Sequence, residues 1–483
     1  MARKFRHIIG VIIVGLFIIW QYRSSIGSHE YSVSTSVKIN DELFRNFTFM
    51  TFEHASKLQN CFGGQITIEY LDGSDEGGDK NSSIALNIVK PLFPKKIEFA
   101  TSNRSISMAS QKTAGYVRVW RYWEQMTMST RALISLAGQA KLGNRKVQAP
   151  RVNNSLFGAN DGYSLGTYFN LTHFNQVLIF GDYATLVGEK DYEAECSLAD
   201  AGHVAIYFLY EGNEGKTKQM LQLNEKQYHD INKKAGKVGW TECPILGNYT
   251  KENSKTNFFC VNVSKFTEWD KLENKVIKGA KCLTLSNWRG IGSSFRTHFS
   301  SKHLKFHERD LHFALKPSEA ILKEANMFRR VLRGPYIAVH VRGEKVFSAH
   351  NFFRLQSCLR VLHELVKVLK ALSGITQVLI ASDMSRFGSG AWGSLLNKPK
   401  EHQTLRELHS FLITSTGGIE YTPTADDVDR GVVALVEMTL LARATHLITV
   451  GKGSFQELIV AKFLEIHRED NQPQWSLITM CSD

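Results

Sequence analysis

The clearest hydrophobic pattern along the chain is a set of short apolar runs that stop abruptly at polar residues. Tyr336-Ile-Ala-Val-His-Val341 is β-branched and aromatic, follows the break Gly334-Pro335, and runs into Arg342, Gly343, Glu344 and Lys345. Those features predict a buried strand. Gln377-Val-Leu-Ile-Ala-Ser-Asp383 repeats the pattern, and His446-Leu-Ile-Thr-Val450 repeats it again before Gly451-Lys-Gly-Ser-Phe455. Helical periodicity fills the intervals. Leu355, Cys358, Leu362, Leu365, Val366 and Leu369 share one side of a helix over 351–372, and Pro317-Ser-Glu opens an amphipathic helix ending near Arg329. A buried helix follows the acidic loop at Asp426 to Asp429, and another begins by about Glu457. Strands alternating with helices predict an α/β domain with a parallel sheet, whose chemistry gathers at the carboxyl ends of the strands.

The amino-terminal half carries a second pattern of this kind. Met128, Leu133, Leu136 and Ala137 predict a helix within 123–140, followed by a Gly143-Asn-Arg145 turn and a short strand, Lys146 to Ala149, stopping at Pro150. Residues 28–112 and 193–283 show no motif. Ser286-Asn-Trp-Arg-Gly-Ile-Gly292, with Arg296 beyond, reads either as a loop able to meet a sugar face or phosphate or as a solvated surface loop.

The first residues change the setting. Arg3, Lys4 and Arg6 precede an uncharged run from Ile8 to Trp20, too short for an ordinary membrane span and suited to a short signal anchor or a signal peptide. Either reading sends the body of the chain to the lumen of the secretory pathway. Asn-x-Ser/Thr sequons at Asn46, Asn81, Asn103, Asn153, Asn170, Asn248 and Asn262 agree, and all precede residue 263. Seven cysteines in an oxidising compartment allow three disulfides with one thiol over. Cys243 and Cys260 are an expected pair, and Cys358, on an apolar helix stripe, is the expected free thiol. With 483 residues the chain has room for two or three domains. The net charge of +13 fits nucleic acid, a membrane surface or a small anionic ligand. No run of five Lys or Arg occurs, and the secretory start argues against nucleic acid.

His340-Val-Arg342 at a strand end resembles the His-x-Arg motif of the fucosyltransferase superfamily that contains the protein O-fucosyltransferases and the α-1,6-fucosyltransferases. The order of the other motifs is similar: a helix of small residues, an Asn-Arg turn and a strand ending in Pro, then a phenylalanine-rich segment at Leu165–Phe174, and later Ser-Asp, an acidic helix and a Ser-Phe loop. The likeness covers 122–180 and 315–467. It implies an α/β fold of two Rossmann-like domains facing each other (GT-B type) behind the signal anchor. The expected division is 1–27 for tail and anchor, 28–112 for stem and the start of the first domain, 113–314 for an acceptor-side domain and 315–483 for a donor domain.

The resemblance further implies an inverting, metal-independent transfer of fucose from GDP-fucose to a glycoprotein or glycan hydroxyl, in the Golgi or ER as a type II membrane protein, with no cofactor. Arg342 would neutralise the β-phosphate, His340 would sit near the sugar or diphosphate, and Asp383 would stand at the second strand end. Gly453, Ser454 and Phe455 would contact phosphates and nucleoside, an acid among Asp426, Asp429 and Glu437 would read guanine, and Glu124 would serve as general base. Glu124 also fits a helix-opening role beside the helix dipole, Arg342 an ion pair with Glu344, and Asp383 a helix cap. Two departures stand out: no glycine loop precedes the 123–140 helix, and Gly343 replaces a second arginine. They keep open another nucleotide sugar, or a catalytically silent, membrane-tethered binding module.

Overall fold

The computed structural model describes residues 115–158, 162–197, 202–244, 256–266, 268–289, 299, 302–350, 352–385, 399–424, 428–469 and 475–481, with the backbone of strands Thr35–Ile39, Gln65–Leu71 and Asn81–Ile88. The amino-terminal apolar run and Asn46, Asn103 and Asn248 lie outside these residues. Among the described residues no helix is long and apolar enough to cross a membrane.

Two large, mostly parallel sheets make the α/β architecture. The first orders its strands Leu186–Val187, Arg145–Gln148, Gly115–Val119, Cys282–Leu285, His203–Leu209, Thr256–Asn262 and Trp240–Glu242; its last pair is antiparallel. The second runs from Ile419–Glu420 through Val378–Ser382, Ile337–Val341, His446–Val450 and Ser476–Met480, all parallel. Beyond these lie Asn81–Ile88, Gln65–Leu71 and Thr35–Ile39, with antiparallel pairing at both faces of Asn81–Ile88. A small antiparallel sheet of Arg121–Gln125, Leu156–Gly158, Arg151–Asn153 and Tyr163–Ser164 stands beside the first.

Apolar runs became strands because both of their faces are covered. Every residue of Ile337–Val341, Val378–Ser382 and His446–Val450 is buried, which is what helices on both sides of a parallel sheet require. On one side Leu355, Leu359, Leu362 and Val366 of helix Phe352–Ser373 pack under Val339 and Val341. Helix Arg430–Ala442 contributes Leu435, Val436 and Leu440 to the cluster that holds Ala338 and Leu447. Ser318 caps helix Glu319–Arg329, as the Pro-Ser-Glu signal predicts, by accepting from the Ile321 amide at 3.4 Å.

Among the described residues the cysteines pair as Cys196–Cys282, Cys243–Cys260 and Cys358–Cys481, and Cys61 lies outside them. The expected Cys243–Cys260 bridge is present. Cys358 is not a free thiol: its helix stripe faces the end of the last strand, so the same burial that suggested an inert thiol brings it to Cys481. Among the sequons, Asn153 is exposed at the end of its strand, Asn81 opens its strand, and the carboxamides of Asn170 and Asn262 accept from the His173 and Ser264 amides at 3.0 and 2.9 Å.

Candidate functional site

The second sheet reverses its winding beside Ile337–Val341: the chain moves outward to Val378–Ser382 and Ile419–Glu420, then returns on the other side at His446–Val450. Such a switch point opens a crevice at the carboxyl edge. The register brings Val341 opposite both Ser382 and Val450, so the residues after each strand emerge together. The Arg342 amide donates to the Val450 carbonyl at 2.9 Å, joining the two lips of the crevice.

Arg342 projects over the loop after His446–Val450. A Cβ built on Gly453 would lie 1.8 Å from Arg342 Nη1 and 2.8 Å from its Cζ, so the guanidinium rests on the bare backbone of that glycine. The helix beginning at Ser454 directs its first amides to the same place. His340 packs edge-on against Phe455, with ring centroids 5.6 Å apart. It is only 5% exposed, its Nδ1 has no hydrogen-bond partner among the described residues, and burial, with the charge of Arg342 beside it, pushes its pKa down to about 3. It is therefore neutral at physiological pH, an uncharged ring nitrogen next to a cation. If a diphosphate is the anion that meets Arg342, the Gly453→Ala variant is expected to bind it about tenfold more weakly, roughly 1.4 kcal/mol, because the methyl displaces the guanidinium. Calorimetry reads it, and unchanged affinity would show that the guanidinium need not rest there.

Asp383 takes the capping alternative. Its Oδ1 accepts from the amides of Gly343 at 2.8 Å and Glu344 at 3.4 Å, at the start of helix Gly343–His350. Burial raises its pKa to about 7, against the pull of Arg342 and the two amides. Gly343 is a packing requirement as well as a departure from the arginine pattern, since a Cβ there would meet Met384 Sδ at 2.3 Å.

Of the acids expected to read guanine, Asp429 and Glu437 lie among the described residues. Asp429, 6% exposed, spends Oδ1 on the amides of Gly431 and Val432 at 2.7 and 3.3 Å, and Oδ2 on the amide of Asn154. It ties the small sheet to helix Arg430–Ala442. Glu437 lies two turns further along that helix, about 10 Å from its start, where burial and the charge of Glu420 raise its pKa to about 8. Asp426 is outside the described residues. Asp427-Val-Asp429 has Asp-x-Asp spacing, and its second acid is spent on backbone amides.

Glu124 does not open a helix: it is on strand Arg121–Gln125, one residue before Gln125 starts helix Met126–Leu142, and its carbonyl accepts from Ser129 Oγ. The side chain is half-buried and sits in the field of Arg289. The two carboxyl edges face each other, for Arg131 on that helix pairs with Glu457 in the first turn of helix Ser454–Glu469 at 2.9 Å. Sequence reading missed this tie and the Asp429–Asn154 one; neither partner is near the other in the chain.

These burials predict how stability depends on pH. His340, His446 at about 4 and His312, well below its ordinary value, are held neutral by burial. The unfolded chain binds protons there first, so stability is lost as pH falls below about 6.5. Glu437 and Asp383 have raised folded values, so their contribution is present at low pH and is lost as pH rises towards about 8 and 7. Stability, and with it the melting temperature, is expected to peak near pH 6.5, the free energy falling on the order of 1 kcal/mol per pH unit on either side. A calorimetric series from pH 5 to 8.5 that rises monotonically would contradict it.

No protein-family model matches the chain, and no curated protein matches it. Among solved structures, POFUT1 in complex with GDP-fucose is similar at a TM-score of 0.43 and 12% identity, over 77% of this chain and 99% of that one. POFUT1 in complex with GDP gives 0.43 at 11% identity, over 72% and 94%. The NodZ alpha-1,6-fucosyltransferase soaked with GDP-fucose gives 0.32 at 12% identity, over 72% and 92%. These are similarities of the chain to those proteins, and they assign no residue a role.

Proposed function

We propose that the chain is a glycosyltransferase that moves fucose from GDP-fucose to a hydroxyl of a glycoprotein or glycan in the secretory pathway, with the unit at 315–483 holding the donor and that at 113–314 facing the acceptor. The observation that carries this reading is the Arg342 guanidinium resting on Gly453 at the switch point, with the amides of a helix start beside it. A diphosphate matches that arrangement in charge and in geometry.

In this reading the acceptor hydroxyl attacks the anomeric carbon as the bond from that carbon to the β-phosphate oxygen breaks, inverting the centre. Negative charge grows on the leaving GDP, so Arg342 and the amides after Gly453 stabilise the transition state more than the ground state. Glu124 receives the acceptor proton. Neutral His340 offers a hydrogen bond without adding charge, and Asp383 holds the Arg342 loop by capping the helix that follows it. The amino-terminal apolar run anchors the protein, with the body in the lumen.

Calorimetry with GDP, GDP-fucose and UDP, alongside an assay of fucose release, tests the reading. Binding of both guanosine ligands in preference to UDP, with turnover of GDP-fucose, is expected. A folded protein that binds none of them, or prefers UDP, refutes it. GDP binding without turnover would select the silent-module reading, which the missing glycine loop before helix Met126–Leu142 favours.

A further inference from the structure

The first sheet has a switch point of its own. From Gly115–Val119 the chain passes through helix Met126–Leu142 to Arg145–Gln148 on one side; His203–Leu209 leads to Thr256–Asn262 on the other, and Cys282–Leu285 returns between. Leu133 and Leu136 of helix Met126–Leu142 join the cluster of Val204, Ile206 and Phe208, whereas Tyr228 and Ile231 of helix Glu225–Val238 join that of Tyr207 and Leu209. Alternate residues of one strand thus face helices on opposite sides, which places a crevice at the carboxyl edge between them.

Polar groups converge there on a rigid frame. Asn287 spends its carboxamide on Phe208, accepting from the amide at 2.7 Å and donating to the carbonyl at 2.6 Å, and Trp288 Nε1 donates to the Ala132 carbonyl at 2.8 Å. Those bonds fix the backbone that carries Arg289. Its guanidinium, on a residue 6% exposed, lies 4.7 Å from the Tyr210 ring centre, and Glu124 is a carboxylate whose charge reaches it. Asn213, 9% exposed, precedes helix Glu214–Leu221 without capping it, and its Nδ2 has no hydrogen-bond partner among the described residues. Trp120 bonds its amide to the Leu285 carbonyl at 2.8 Å at the same edge and packs its ring against the cluster of Tyr207 and Leu209, which stiffens this lip of the crevice. A fixed cation beside a buried amide donor suits a ligand that carries a carboxylate.

We propose that this crevice is the acceptor subsite and takes a saccharide bearing a carboxylate, held by Arg289 and Asn213, with its reactive hydroxyl directed to Glu124. The proposal rests on the transferase reading above. It adds an anionic acceptor to an anionic donor, with one arginine for each: buried Arg289 beyond the carboxyl edge of the first sheet and half-buried Arg342 at that of the second.

The test uses the full chain with saturating GDP, so that the donor site is filled, and reads binding of methyl β-D-glucuronide and of methyl β-D-glucoside by saturation-transfer NMR. The glucuronide is expected to bind at least fivefold more tightly. That preference should vanish in Arg289→Gln and shrink in the near-isosteric Asn213→Asp, while GDP affinity stays unchanged in the second variant. If Arg289→Gln does not fold, Asn213→Asp decides alone. Equal binding of the two glycosides, or a preference that Asn213→Asp leaves intact, overturns the subsite while GDP binding still stands. Preference for N-acetylthreonine over its amide, with none between the glycosides, overturns the saccharide assignment. Failure of the wild-type chain to bind GDP would instead remove the transferase reading.

Discussion

Arg342→Ala is expected to weaken GDP binding by a hundredfold or more while leaving the fold in place. A guanidinium gripping a phosphate makes two charge-assisted hydrogen bonds, each worth roughly 1.5–3 kcal/mol, so their loss is at least about 3 kcal/mol. The fold has little at stake, because the side chain is half-buried and rests on a glycine backbone rather than filling a core. Asp383, on which the charge of Arg342 acts, already has a pKa near 7 and can take up a proton when the cation goes. Arg342→Lys keeps the charge but loses the planar fork, and should fall between wild type and alanine. Calorimetric titration with GDP, paired with melting curves, separates the two effects. GDP affinity within threefold of wild type in a folded Arg342→Ala protein would mean that the diphosphate sits elsewhere.

The strands of the second sheet were legible because each is buried on both faces and ends in polar residues. Burial on both faces produces an unbroken apolar run, and Ile337–Val341, Val378–Ser382 and His446–Val450 fall within one residue of the expected segments. Arg342, His340 and the Gly453 loop were legible for the same reason, since position at a strand end is a local property. Pairings across the chain were not. Whether an acid caps a helix or faces a ligand depends on which amides approach it, and Asp429 meets Asn154 from 275 residues away. Glu437 shows the limit of helical reasoning: it lies on the expected helix, but its neighbours Glu420 and Tyr421 come from another element and could not be read from the helix alone. Cys358 failed likewise, because a stripe shows that a side chain is buried and not what it meets.

Glu273→Ala is expected to destabilise the first unit by about 3–5 kcal/mol, the loss found when one partner of a buried ion pair is removed. Arg145 is 4% exposed and forks onto Glu273, Nε to Oε1 at 2.7 Å and Nη2 to Oε2 at 3.0 Å, while Nη1 donates to the Ala280 carbonyl at 2.8 Å. Trp269 Nε1 also donates to Oε1, at 3.0 Å. The pair closes the edge of the sheet opposite the crevice, fastening the turn before Arg145–Gln148 to the segment before Cys282–Leu285. Without the carboxylate a buried guanidinium and an indole N–H lose their acceptor together. Glu273→Gln keeps the shape and an acceptor oxygen but not the charge, so it should cost less than alanine. Removing both partners, with Arg145→Met and Glu273→Leu, should recover a substantial part of the loss, because no charge is then left stranded. Denaturant unfolding of the three proteins decides the matter: an alanine variant within 1 kcal/mol of wild type, or a double variant no better than the single, would show that the pair contributes little and that packing alone holds this edge.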